Sequence, residues 1–587
     1  MLPSPPDLNR FRHKLATLEA LPQLALLGLI AGIVTALVIA LFRELITLLT
    51  ALFINDPTGL AFEKLPWQVR LLLPLGGAVL IIGIAQFSHR KYHRVGVVHV
   101  IERLDWHQGR LLMGNFLNQF FAGAVAISTG HSIGREGPAV HLGGASASLM
   151  GQCLRLPNNS LRLLVSCGAA AAISAAFNTP VAGVIFALEI LLLEFSVTTL
   201  LPIMLASACA ATLSQWFYGA QQGFQVPPMT VNPIDELPLV IMLGIAMGLL
   251  GTLFCRLITF SNKKTLHLSP KVRLLLAAAV TGILAVPAPA IMGVGYDTIN
   301  LLMQESQLPF FLAVVLGCKL AATAFSVGLG VPGGLIGPTL FIGGIGGALV
   351  ATLTSQAFGL KTGNEGFHVM LGMSAMMGAV MQAPLTALVT VVELTRNPEL
   401  LFPSLVAIVI ATLIASLLMN HKGVFEQILD SWGFDRVKDP LRQALGKEGV
   451  VSMMEARVLP LDRYQPFSTL KDKLIDSTEW LLIYDDMRPK AIMACSEALR
   501  LLEQPDEDLL IDAALNQKTG QLDLMRIPAH RMETGAISPR STALQALELM
   551  TSRQIDSLYV CADKNNKTNP QPLGIITRES LQQHYRL

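Results

Sequence analysis

Charge is what this chain of 587 residues has least of. Only 14% of its residues are Asp, Glu, Lys or Arg, and the formal net charge is +2. A balance that small does not fit a nucleic-acid partner. The seven cysteines, at 153, 167, 209, 255, 318, 495 and 561, show no paired spacing of the kind a metal needs. His99, His131 and His141 also lack a second ligand at metal spacing. No metal site is expected, and with no visible nucleophile–base pair neither is an enzyme. Acidic clusters that could strip a cation of its water are missing from the apolar part as well, where glutamates stand alone. What is abundant is apolar: 52% of the residues are hydrophobic and the mean hydropathy is +0.53. That composition belongs to a membrane protein.

Apolar stretches recur from about Leu21 to Leu418, including Leu21–Phe42, Leu71–Phe87, Leu239–Cys255, Leu274–Met292 and Leu401–Met419. Each is long enough to span or re-enter a bilayer. Gly143–Leu154 and Pro180–Leu193 are shorter or broken by Gly and Pro, and read as half-helices buried among neighbours. Residues 1–20 carry Arg10, Arg12 and Lys14 with no small-residue cleavage site, so they read as a retained cytoplasmic segment. The basic clusters His89–Arg94 and Lys263–Arg273 should face the same side. The expected location is the cell inner membrane, multi-pass, with both termini cytoplasmic.

Two signatures carry the functional signal. Gly134-Arg-Glu-Gly-Pro-Ala-Val-His-Leu-Gly-Gly144 and Gly334-Leu-Ile-Gly-Pro-Thr-Leu-Phe-Ile-Gly-Gly344 share the pattern G-x-x-G-P-x-x-x-x-G-G, 200 residues apart. Each opens an apolar run, so each predicts a helix N-terminus at membrane depth. Free backbone N–H groups and the positive end of the helix dipole suit an anion there. The pairing extends further. Asn178-Thr-Pro…Glu189 follows the first signature and Gln382-Ala-Pro…Glu393 the second, with nine residues from proline to glutamate in both. An internal duplication follows, with halves at about 21–217 and 236–429. Paired broken helices in corresponding halves point to a transporter site.

From about 430 the long apolar runs stop. A helix at Phe467–Asp476, strands at Trp480–Tyr484 and Lys490–Met493 and a helix from Ser496 make one unit. Thr542–Met550 (helix), Ser557–Cys561 and Leu573–Ile576 (strands around a loop at Asp563–Asn569) and Glu579–Tyr585 (helix) make another. The 430–587 region is therefore expected to be a soluble, duplicated α/β domain.

GREGP at Gly134–Pro138 and GLIGP at Gly334–Pro338 resemble two anion-coordinating signatures of the CLC chloride channel and transporter family. The paired proline–glutamate segments also look like that family, and the tail resembles a tandem CBS pair, most clearly at Leu573-Gly-Ile-Ile-Thr-Arg-Glu579. The resemblance implies an all-α polytopic membrane fold, two repeated halves with re-entrant half-helices, joined to a C-terminal α/β CBS-pair domain. It implies a homodimer with one pore per subunit, embedded in lipid, carrying chloride. Glu136 would be the gate: a carboxylate at a helix start mimics the anion, and protonation lets it leave. Gly134, Arg135, Gly137 and Pro138, with Gly334, Leu335, Ile336, Gly337 and Pro338, would form the anion cradle.

Four positions depart from the family pattern. Val95 stands where a serine hydroxyl is expected, with Val98 in place of the loop proline, and Phe425 matches the position of a late tyrosine. Losing two hydroxyl donors, each worth about 1.5–3 kcal/mol to a charged acceptor, leaves a cradle of backbone amides. Ile190 occupies the position of an internal proton-carrying glutamate, leaving Glu189 and Glu194 as substitutes for a proton path. Proton-coupled exchange, a passive channel and export of another anion such as fluoride or nitrate remain open. A CBS-regulated cation channel or a membrane sensor is the different-class reading. In the tail, Thr577 and Ser580 are the remnant of an adenine-nucleotide site whose second residue should be Asp, so a structural tail competes with a nucleotide sensor. No other cofactor is required.

Overall fold

The computed structural model describes residues 21–54, 61–219, 224, 226, 236–304, 307–358, 365–436, 445–446, 448–466, 470, 474, 479–503, 515–516, 521–527, 529–561 and 572–583. The N-terminal segment 1–20 and the loop read at Asp563–Asn569 lie outside these, as does the helix read at Phe467–Asp476 apart from 470 and 474. The chain forms two compact units, one of Pro22–Leu154 and Leu161–Arg436, the other built mainly from Val437–Leu587.

The first unit is helical. In chain order its helices are α1 (Leu21–Ile54), α2 (Trp67–Gln86), α3 (Gly96–Trp106), α4 (Met113–Ser128), α5 (Glu136–Cys153), α6 (Asn158–Phe177), α7 (Pro180–Phe186), α8 (Val197–Tyr218) and α9 (Leu237–Thr265). They continue with α10 (Pro270–Ala285), α11 (Tyr296–Gln304), α12 (Pro309–Gly328), α13 (Ile336–Phe358), α14 (Glu365–Met381), α15 (Pro384–Thr395), α16 (Leu401–Leu418) and α17 (Val424–Ser431). Among the described residues, eight helices are long and apolar enough to cross a membrane. On α1 large residues such as Leu41, Leu48 and Leu52 face outward, while Gly28, Ala31 and Gly32 are buried. Apolar outside and small inside is the pattern of a helix set in lipid. The run Leu274–Met292 is not one span. It stops at Ala285, and a 3-10 turn at Pro289–Ile291 follows, because Pro287 and Pro289 cannot donate helical hydrogen bonds.

The duplication governs the packing. In each half, the helix opened by the signature lies backbone-to-backbone against a later helix through paired glycines, Gly143 on Gly168 and Gly343 on Gly372. A methyl group at any of the four would collide with the partner's carbonyl oxygen. The turns into the short helices repeat as well. Asn178 and Gln382 are both left-handed (φ 59° and 54°), and Thr179 and Ala383 share φ/ψ near −122°/77° and −133°/76°. The next residue is proline each time, which closes the α region to Thr179 and Ala383 and starts α7 and α15 afresh.

The second unit carries a six-stranded sheet. Its strands are β1 (Val458–Asp462), β3 (Trp480–Asp485), β4 (Arg488–Ala494), β7 (Arg531–Ile537), β8 (Ser557–Cys561) and β9 (Pro572–Thr577), in the order β1-β3-β4-β7-β8-β9. The short strands β2 (Tyr464–Pro466), β5 (Leu515–Asn516) and β6 (Gln521–Asp523) form a separate sheet. Each half of the large sheet repeats one pattern: a parallel pair (β1/β3, β7/β8), then an antiparallel pair (β3/β4, β8/β9). Sequence reading found β3, β4, β8 and β9 but not β1 and β7, which lead each half. The α20 helix (Ala543–Arg553; α18 is Val450–Met453 and α19 is Cys495–Glu503) begins with a full capping box from Thr542 and Gln545.

Candidate anion site

The two signatures meet. Gly134 N–H donates to the Gly334 carbonyl and Gly334 N–H to the Gly134 carbonyl, each at 2.8 Å, in an isolated antiparallel bridge. Reciprocal bonds between equivalent residues are what a local two-fold axis between the halves produces. Close contact requires glycine: a Cβ on Gly137 would meet the Gly334 backbone, and one on Gly134 would meet Pro338 and the Glu136 carboxylate.

Glu136 is the first residue of α5 and is fully buried. Its Oε2 accepts from the Gly337 N–H at 3.1 Å, and its Oε1 accepts from the Tyr296 hydroxyl at 2.9 Å. The carboxylate of the first half therefore rests on the helix start of the second. The amide it uses is that of Gly337, in the first turn of α13, where N–H groups have no helical partner. Leu335 and Ile336, the residues expected to present amides, immediately precede it. Arg135 does not pair with Glu136. It donates to the Ala176 carbonyl at 3.3 Å and lies over the rings of Phe177 and Tyr296. Arg135 and Tyr296 also line a cavity of about 250 Å³ together with Arg43, Tyr218, Glu63 and Asp297.

Val95 is the residue before α3 and makes no capping hydrogen bond, while Gly96 opens the helix with φ 85° and lies beside the Gly333 carbonyl. Phe425 is buried in the first turn of α17, which packs against α3. Both thus stand at helix starts without a hydroxyl to offer.

Glu189 and Glu393 form a second reciprocal pair. Glu189 accepts from the N–H groups of Leu385 and Thr386 (3.1 and 2.7 Å) and from the Thr386 hydroxyl (2.6 Å). Glu393 accepts from the N–H groups of Val181 and Ala182 (3.0 and 2.8 Å). Each half's glutamate closes the N-terminus of the other half's short helix. Glu194 accepts from Ser196 at 2.9 Å, just before α8. Ile190 sits in a π-helical turn, Ala187–Leu192. The carbonyls of Ile190 and Leu191 are held by Arg436 at 2.8 and 2.6 Å, and Arg436 also pairs with Asp105 at 2.7 Å.

His99 and His141 turn out to be neighbours, with Nδ1 and Nε2 2.9 Å apart. Arg103 donates to His99 Nε2, so His99 carries its proton on Nδ1 and donates it to His141. Among the described residues no group of three or more metal-ligating side chains gathers. In the second unit, Thr577 and Ser580 bond each other's backbone N–H at 3.1 and 3.2 Å around the start of α21 (Arg578–Gln583).

Sequence reading missed Tyr296, Arg436 and the capping role of Glu393. The signal for Tyr296 was the Gly293-Val-Gly-Tyr296 loop after two prolines, which marks a break in an apolar run. Nothing local marks Arg436.

The family model described as voltage gated chloride channel matches residues 76–416. This chain belongs to the CLC family. A ClcB-like protein of Ralstonia nicotianae is 31% identical over 392 residues, 65% of this chain and 91% of that one. The voltage-gated ClC-type chloride channel ClcB of Escherichia coli O81 is 30% identical over 417 residues, 68% of this chain and 97% of its own length. Two solved structures share the CLC fold. A slow cyanobacterial Cl−/H+ antiporter (TM-score 0.62, 21% identity) aligns with 70% of this chain and 98% of its own. A eukaryotic CLC transporter (TM-score 0.61, 17% identity) aligns with 96% of this chain and 99% of its own, a span that takes in the C-terminal α/β unit.

Proposed function

We propose that this protein moves chloride across a membrane along a CLC-type pathway closed by Glu136. The observation that carries the reading is the position of that carboxylate, bonded to the Gly337 amide at the meeting point of the two signatures. An ionised carboxylate there satisfies the same helix-start donors that would satisfy an anion. Protonation removes its charge and weakens both bonds, so the side chain yields its place and chloride enters. The anion is held by the backbone N–H groups that the Gly134–Gly334 bridge leaves free at the two helix starts, that of Gly337 among them, because Val95 and Phe425 supply no hydroxyl. The relatives named as chloride channels, covered over nearly their whole length, support chloride as the ion.

Protons act on the gate. Ile190 cannot carry one, and we assign Glu189 to helix capping because both its oxygens are engaged by α15; Glu194 lies beside Ser196 at the mouth of α8. The functional form is a homodimer in the inner membrane with cytoplasmic termini, an orientation supported by the basic clusters at His89–Arg94 and Lys263–Arg273. The second unit is a CBS-type pair with a structural role. The mutual bonds of Thr577 and Ser580 support this over adenine-nucleotide binding.

Reconstitution into liposomes under a chloride gradient, following chloride and proton fluxes together, tests the function. Chloride flux that rises as pH falls in the parent and becomes flat with pH in Glu136→Gln is the expected result. No chloride flux from intact protein sinks the assignment. An unchanged pH profile in Glu136→Gln removes Glu136 from the gate.

A further inference from the structure

Lys319 is the sole charged residue in the twenty-residue helix α12, and it is fully buried. Its ammonium donates to the carbonyls of Ile291 and Gly293 at 2.9 and 2.8 Å and lies 4.6 Å from the centre of the Phe341 ring. Two carbonyls and a π-face satisfy its donors, but none of the three neutralises its charge. A lysine in that position must give up its hydration, and an apolar side chain of similar size would commonly cost less. A buried cation in a membrane helix therefore calls for an electrostatic beneficiary.

The loop it holds leads to one. The loop that Lys319 holds, Ile291–Gly293, runs directly into Val294, Gly295 and Tyr296. Val294 lies beside Gly337, Gly295 lies over Phe341, and the Tyr296 hydroxyl donates to Glu136. The Lys319 ammonium also lies within electrostatic reach of the Glu136 carboxylate. The duplication makes the arrangement sharper. The 200-residue offset that relates Gly134 to Gly334 relates Glu136 to Ile336 and Gln119 to Lys319. Gln119 is likewise buried and tethers a backbone carbonyl, that of Pro332 at 3.2 Å, with a neutral amide. A tether needs no charge. One half of the duplicated scaffold carries the carboxylate, and the other carries the cation.

We propose that Lys319 is the counter-charge of the Glu136 gate and of the anion that replaces it, and that it positions Tyr296 through the Ile291–Gly293 loop. It is a positioning residue: it touches neither the carboxylate nor the pathway directly. Its field favours a negative charge at the cradle whichever species bears it, so the site stays attractive when the carboxylate gives way to chloride. Among the described residues, the other titratable or charged groups near Glu136 are Tyr296, Arg135 beside it, and Arg43, Glu63, Tyr218 and Asp297 in the cavity those two line; His141, paired with His99, lies further along α5. From α10, packed on α12, Arg273 reaches the far end at the Gly328 carbonyl. Lys319 is the fully buried cation among the described residues.

The inference rests on Glu136 being the gate, and the experiment separates the two. Chloride flux from liposomes is measured across about pH 3 to 6, the range in which carboxyl groups titrate while lysine stays charged, for the parent, Lys319→Met and Lys319→Arg, each with Glu136 and with Glu136→Gln. With Glu136 present, Lys319→Met should move the flux midpoint up by about one pH unit and raise the chloride KM roughly tenfold. Lys319→Arg, which keeps the charge, should hold the midpoint. With Glu136→Gln the midpoint should vanish for all three, while the KM effect of Lys319→Met persists. A parent midpoint and KM in Lys319→Met overturn the counter-charge. A pH profile that survives Glu136→Gln overturns the gate reading instead. Lys319→Met that fails to fold equally with Glu136 and with Glu136→Gln, while Lys319→Arg folds, also overturns the proposal, since the lysine is then a folding determinant indifferent to the gate.

Discussion

Glu136 shows how a single side chain changes meaning with its neighbours. At the start of a helix it reads as an acid favoured by the dipole; buried against a second helix start, it takes the seat we propose for the anion. Tyr296 decides how firmly it stays. A hydroxyl bonded to a carboxylate contributes about 1.5–3 kcal/mol, so Tyr296→Phe should favour the released carboxylate roughly tenfold or more. The expected readout is chloride flux at neutral pH that rises toward the parent's acid-activated level. Flux in Tyr296→Phe that stays at the parent's neutral-pH value would show that the hydroxyl does not restrain the gate. Glu136 was legible because its charge stands in a motif. Tyr296 was not, because 160 residues separate it from its partner and only the folded chain brings the loop back.

Among the helices, the reciprocal capping of α7 and α15 is the feature with the most structural consequence. Both helices start at a proline two residues after a left-handed one, and in each two successive N–H groups of the first turn point at a glutamate from the other half. Loss of a helix cap costs about 0.5–2 kcal/mol. Glu189→Ala and Glu393→Ala should each lower the thermal unfolding temperature of the purified protein, and the double substitution should show coupling, since the two pairs tie the same helices together. Strict additivity in scanning calorimetry would mean the two caps act independently. Glu189→Gln should leave any proton-to-chloride flux ratio at the parent value; a changed ratio would return Glu189 to the proton path. The nine-residue spacing from proline to glutamate was visible in the sequence. Which helix each glutamate would close was not, because a glutamate nine residues into a helix cannot reach its own N-terminus and the sequence does not name another.

The whole molecule joins two kinds of stability. In the membrane unit, small residues let helix backbones touch; in the C-terminal unit, separate apolar clusters fill the two halves, around Leu481 and Ile483 in one and Leu558 and Val560 in the other. The C-terminal unit also has a measurable ionic tie. Arg463 grips Asp523 through two bonds of 2.9 Å. Burial alone would raise the Asp523 carboxyl, but the hydrogen bonds and charge of Arg463, the Met525 N–H and the charge of Arg526 outweigh it and hold the carboxyl below its ordinary value of 3.8. A carboxyl lowered on folding stabilises above its unfolded value, and that stabilisation fades as pH falls through the folded one. Asp523→Asn should therefore unfold the second unit of the full chain earlier at neutral pH, with the gap to the parent closing below about pH 4. A gap that stays constant into acid would assign the loss to packing. By itself the sequence determined the class of molecule: long apolar runs demand a membrane, duplicated Gly-Pro signatures demand paired helix starts, and strand–helix alternation after residue 430 demands a second unit. Those are local and periodic properties, set by solvent preference and backbone geometry. Only the tertiary structure decided which residues of one half serve the other. The Gly134–Gly334 bridge, the seat of Glu136 on Gly337, the crossed glutamate caps and the placement of Lys319 all join residues that a repeat marks as equivalent but does not mark as touching. Contact across a local two-fold axis arises when the halves pack, and neither half encodes it alone.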